Sequence, residues 1–256
     1  MSLVGQAAVL VAFPVGASAV GSVTAVLRPP GPRLVSGIQH FAAGVVMAAL
    51  VGEVLPGLRR EGNLAWAVIG FAGGAALVLS LAAYGRRRDA ASEAGRAAAE
   101  TTRAGASRPA VVLPLGLLVA VGIDLLLDGL LVGLGVTLGS TQALILTVAL
   151  TIEVLFLGLS VATELTGAGL SRPLAAATCT GLGLVTAVGA IGGAAVLGGA
   201  SAAVLAAALA FGAAALLYLA VEELLVEAHE QAETALLGAS FFAGFLAIYV
   251  LAELGG

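Results

Sequence analysis

Hydrophobic residues run along this chain in eight long blocks separated by polar breaks. A helix rises 1.5 Å per residue, so roughly 20 apolar residues cross the ~30 Å hydrocarbon core of a bilayer. The pattern predicts membrane-spanning helices at about Val4–Leu27 (interrupted by Pro14), Val35–Leu55 (closed by Pro56), Leu64–Tyr84 and Val111–Leu138. Four more are predicted at about Gln142–Leu165, Leu174–Leu197, Ala202–Val226 and Ala235–Leu254. The first lacks a basic leader and is long for a signal-peptide core, so it reads as a retained helix.

The breaks are short, with one exception. Residues 85–109 are rich in Ala, Arg and Glu and carry no apolar stripe, which predicts a solvated cytoplasmic loop, partly helical or disordered, between spans 3 and 4. Spans 4 and 5 are joined by only Gly139-Ser140-Thr141 and form an antiparallel hairpin. Trp66 and Tyr84 mark the two ends of span 3, where an interfacial aromatic belt places such residues. The whole chain, 1–256, is expected to be one transmembrane domain.

Composition narrows the class. The chain is 60% hydrophobic and 10% charged, whereas soluble domains carry about 25% charged residues. The blocks are too long for barrel strands, so the fold class is an all-α membrane protein, an eight-helix bundle. Gly129-x-x-x-Gly133 and Gly189-x-x-x-Gly193 suit close helix packing in lipid. The single cysteine, Cys179, rules out an internal disulfide and reads as a small core residue; Met47 reads as packing. No phosphate-binding glycine loop and no nucleophile paired with a base is visible, so neither an enzyme nor a nucleic-acid binder is expected. The expected partners are the bilayer and a divalent cation, with a second copy of the chain as a further candidate.

The arginines orient the bundle. Loops 1–2, 3–4, 5–6 and 7–8 hold Arg28, Arg33, Arg86, Arg87, Arg88, Arg96, Arg103, Arg108 and Arg172, and the opposite side holds Arg59 and Arg60. The positive-inside rule puts the first set in the cytoplasm and both termini outside, in a cell (inner) membrane.

Against this apolar background the acids stand out. Asp124 and Asp128 lie near the middle of span 4, and their spacing of four stacks both carboxylates on one helical face. Glu153 lies at matching depth in span 5, across the hairpin. A carboxylate at bilayer depth costs at least about 3 kcal/mol on insertion scales and therefore faces a partner, an ion or a water-filled cavity. Three that converge suit a hard divalent cation. Their charge exceeds that of one divalent ion by one, so a retained proton or a second ion is expected. Glu222 and Glu223 lie deeper in span 7 than Glu227, His229, Glu230 and Glu233, which read as interfacial charge. One of the deeper pair is expected at an exit vestibule, which Glu164 could join. Glu53 sits toward the external end of span 2, where recruiting cations and snorkelling to water are equal readings; His40, at the start of that span, reads as an interface residue.

These spans resemble the ZIP (Zrt/Irt-like) family of divalent-metal transporters. Phe41 to Pro56, FAAGVVMAALVGEVLP, is similar to the family's F-A-A-G followed by small and apolar residues and H-L-L-P-E. LLYLAVEELLVEA in span 7 resembles L-Y-V-x-x-E-E-L-I-P-E. Span 5, ALTIEVLFLGLSVATEL, lies over A-L-x-I-H-N-x-P-E-G-L-A-V-A, and GIDLLLDGLLVGLG in span 4 lies over I-H-N-x-P-E-G-x-x-V-G. The resemblance implies eight spans, both termini outside, a variable loop between spans 3 and 4, and alternating access by movement of one helix group against another. It implies transport of Zn²⁺, Mn²⁺, Fe²⁺, Co²⁺ or Cd²⁺ through Asp124, Asp128 and Glu153. Glu223, with Glu222, would form a secondary site on the cytoplasmic route, and Glu53 would lie near the external mouth.

The departures bear on the metal. The family's span 4 histidine and glutamate fall on Asp124 and Asp128; in span 5 they fall on Glu153 and Leu157. The motif prolines become Leu127 and Phe156, and Thr186 stands nearest to the span 6 acid of a second metal site. What remains is one oxygen-only site in place of a histidine-containing pair. A second reading follows from these losses: a transport-incompetent relative kept as a metal sensor or membrane interaction partner.

Overall fold

A computed structural model describes residues 1–102, 115–229 and 234–255. Eight of its helices are long and apolar enough to cross a membrane: α1 (Leu3–Leu27), α2 (Pro32–Glu61), α3 (Leu64–Thr102), α4 (Leu115–Leu138), α5 (Ser140–Gly167), α6 (Arg172–Leu197), α7 (Ala202–Glu222) and α8 (Ala235–Gly255). The all-α bundle expected from the hydrophobic blocks is what the chain forms.

Local chemistry explains the boundaries. Pro14 has no N–H for the Leu10 carbonyl, and α1 breaks at Val11 for that reason. Gly139 holds φ +143°, a conformation that disfavours any side chain, and so lets the chain reverse between α4 and α5. The apolar segment of α3 ends near Arg87, yet the helix continues to Thr102 without a break. The remainder of the 85–109 segment, and residues 111–114 expected at the start of span 4, lie outside the described residues.

Pro56 does not close span 2. The helix runs on to Glu61 and stops at Gly62, which takes the left-handed conformation at φ +63°. A π-helical turn at Leu50–Val54 precedes the proline and shifts the backbone ladder, with the Leu55 N–H donating to the Leu50 carbonyl. The inserted register absorbs a ring that would otherwise kink the helix. A second π-helical turn, Leu219–Leu224, interrupts α7, which resumes as helix through Ala228.

The helices pack as two groups of four. In one, α4 lies along α6 and α1 lies against both α5 and α6; in the other, α2 lies along α8 and α3 along α7. Within each group the backbones touch at glycines. A Cβ on Gly129 would meet the Thr186 carbonyl oxygen at 2.0 Å, and one on Gly189 would meet that of Leu126 at 2.2 Å. In the second group, Gly44 stands at 2.0 Å from the Phe241 oxygen and Gly70 at 2.1 Å from that of Ala207 by the same measure. Such contacts maximise dispersion where lipid removes any hydrophobic drive for association. Where Gly212 of the second group meets the first, it meets the side chain of Leu131 instead of backbone.

Candidate metal site

Asp124 and Asp128 project from α4 one turn apart, and Glu153 projects from the neighbouring arm of the hairpin. One oxygen from each carboxylate lies within 4.8 Å of the others. Asp128 and Glu153 are only 3% and 2% exposed, and Asp124 is partly buried. The hairpin explains the convergence. Gly139 sets α4 and α5 antiparallel, and Asp128 and Glu153 then lie at similar distances from the turn, at the same depth.

The cluster belongs to the first helix group and faces the second. Asp124 lines a cavity of about 60 Å³ whose other walls include Val78 and Leu81 of α3 and Tyr218 and Leu219 of α7. Glu153 lines another of about 40 Å³, bounded by Gln39 of α2, Phe156, Leu157 and Ser160 of α5, and Leu219 and Leu224 of α7. Leu219, the first residue of the π-helical turn in α7, walls both cavities. Phe156 also borders a large apolar groove between α2, α5 and α8.

Toward the hairpin turn the packing is tight. Leu131, Leu134, Ile145, Leu146 and Leu150 are buried in one apolar cluster that also holds Val45 and Val46 of α2. On α6, Thr186 is fully buried, and its Oγ1 has no hydrogen-bond partner among the described residues. It replaces with a neutral hydroxyl the acid expected from the family pattern.

The other candidates separate from this centre. Glu53 is buried in the π-helical turn of α2, and its carboxylate accepts a hydrogen bond from the Gln142 side chain, with Arg60 nearby. Glu222 is exposed on α7, and the side chain of Glu223 lies outside the described residues. Glu164 is exposed at the end of α5 away from the hairpin turn. Met47 packs against the apolar core, and Cys179 is buried with its carbonyl accepting from Ser18 Oγ.

His40 is not alone. It is buried beside His229 with ring centroids 5.1 Å apart. Nδ1 of His40 donates to the Ser36 carbonyl, and Nδ1 of His229 to that of Leu225. Sequence reasoning also passed over Gln39, Ser160 and Leu219. One polar side chain in an apolar span is a weak signal, and nothing in the sequence marks a leucine as a shared wall.

A helical membrane protein with a buried acidic centre between two helix groups is the class that fold and site define. The family model described as ZIP Zinc transporter matches residues 86–252, from the end of span 3 through most of span 8. The chain belongs to that family, whose members transport metal. No curated protein matches it.

Proposed function

We propose that this protein carries a divalent metal cation across the membrane, holding it between Asp124, Asp128 and Glu153. The observation that supports this most directly is the convergence of three carboxylates within 4.8 Å at the middle of two spans. Each carries the cost of an acid at bilayer depth, and a bound cation offsets that cost. Oxygen donors suit hard ions; the missing imidazoles move the preference from Zn²⁺ toward Mn²⁺ relative to a site that contains histidine. One divalent ion leaves an excess negative charge, so a proton or a second ion is exchanged with it.

Two internally locked helix groups, with the site at their boundary, suit alternating access by movement of one group against the other. Glu223, with Glu222, serves as a secondary site on the cytoplasmic route, and Glu53 lies near the external mouth. The arginine-rich loops orient the basic side to the cytoplasm, with both termini outside.

The test is uptake by proteoliposomes of Zn²⁺, Mn²⁺, Fe²⁺, Co²⁺, Cd²⁺ and Mg²⁺, wild type beside Asp124→Ala. At least one ion should enter with wild type, and its uptake should fall at least tenfold in the variant. A folded wild type that binds a divalent ion and transports none would overturn this reading in favour of a metal sensor.

A further inference from the structure

The cavity beside Glu153 has a polar lining that the three acids do not account for. Gln39 is only 5% exposed and contributes to its wall together with Ser160. A cavity of about 40 Å³ is roomier than the 10–15 Å³ that a single water requires, and it has polar partners to hold one. Among the described residues, the side chains that line the cavity beside Asp124 are apolar except for Asp124 itself and Tyr218.

Register gives the Glu153 cavity a direction. Ser160 follows Glu153 by seven residues and Glu164 follows it by eleven, so all three lie within about 20° of one line along α5. Gln39 stands near the start of α2 and Leu224 near the end of α7, on the same side of Glu153 as Ser160. The line runs away from the hairpin turn, where buried leucines close the packing, and ends at exposed Glu164.

We propose that Gln39 and Ser160 form a neutral oxygen relay that takes the cation from Glu153 toward Glu164 and the cytoplasm. This inference rests on the midplane site being the transport site. Leaving three carboxylates requires replacement oxygens, since a divalent cation sheds its ligands reluctantly. A fourth carboxylate directly beside Glu153 would hold the ion at the midplane, whereas an amide carbonyl and a hydroxyl coordinate it and pass it on to the acids nearer the cytoplasm. Conduction needs intermediate sites of that modest strength.

The experiment measures Mn²⁺ and Cd²⁺ uptake in proteoliposomes and equilibrium binding in detergent for wild type, Gln39→Leu, Gln39→Glu and Asp128→Asn. Gln39→Leu should bind either ion within twofold of wild type and lose about tenfold in maximal rate. Gln39→Glu, nearly isosteric, should bind at least fivefold more tightly and also transport more slowly. If Asp128→Asn abolishes uptake while both Gln39 variants transport and bind as wild type does, the relay is wrong and the midplane site stands. If wild type takes up neither these ions nor any other of the six tested above, the relay and the transport reading fall together.

Discussion

Gly129 and Thr186 meet backbone to backbone: a Cβ on Gly129 would lie 2.0 Å from the Thr186 carbonyl oxygen. Asp128 is the preceding residue, so the contact that seats α4 on α6 also sets the height and direction of a site carboxylate. Gly129→Ala must push the helices apart. Overpacking of this kind costs about 1–3 kcal/mol. The variant should melt several degrees lower in detergent and bind Mn²⁺ more weakly, whereas Gly181→Ala, whose Cβ would meet open space, should do neither. Thermal unfolding followed with and without Mn²⁺ checks both effects.

Glu53 is held by Gln142 across the boundary between α2 and α5. Gln142→Leu leaves a buried carboxylate without that donor, a loss of about 1–3 kcal/mol. The expected outcome is a lower melting temperature that Glu53→Gln largely restores. An additive double variant in the thermodynamic cycle would show that the pair does not interact.

Neutralising one site carboxylate should stabilise the protein without metal and cost it its metal. Asp128→Asn and Glu153→Gln each remove one of three crowded charges from the bilayer core, which should raise the apo melting temperature by a few degrees. In the wild type, Mn²⁺ at about 100 times its Kd should add roughly 2.7 kcal/mol of stability. In both variants that increment should shrink to near zero at the same concentration. Equal metal stabilisation in variant and wild type would count against the site.

The resemblance of spans 4 and 5 to the family motifs implies histidine at the positions of Asp124 and Glu153. The double variant Asp124→His/Glu153→His should shift selectivity toward Zn²⁺ over Mn²⁺ by at least tenfold, because imidazole suits Zn²⁺ better than it suits Mn²⁺. Competition binding with both ions present checks the ratio.

Much of this was legible before the structure. Span number follows from bilayer thickness, and the Asp124–Asp128–Glu153 cluster follows from the i, i+4 spacing on one helix and similar distances from a tight turn. What stayed hidden depends on neighbours. Pro56 reads as a helix end, but the π-helical turn that accommodates it has no residue signature, because its extra backbone register is held by packing. The pairing of helices into two groups was equally obscure, since small residues three or four apart occur throughout so glycine-rich a chain. His40 looks solitary in sequence because His229 lies far along the chain. Gln39 gains meaning only when α2, α5 and α7 enclose a cavity around it.

The most direct measurement is X-ray absorption of Mn²⁺ bound to the purified protein, wild type beside Asp128→Asn. An oxygen-only shell at about 2.0–2.3 Å, depleted in the variant, is the predicted result. A nitrogen-containing shell that survives Asp128→Asn and vanishes in His40→Ala would put the ion at the histidine pair and contradict a carboxylate site.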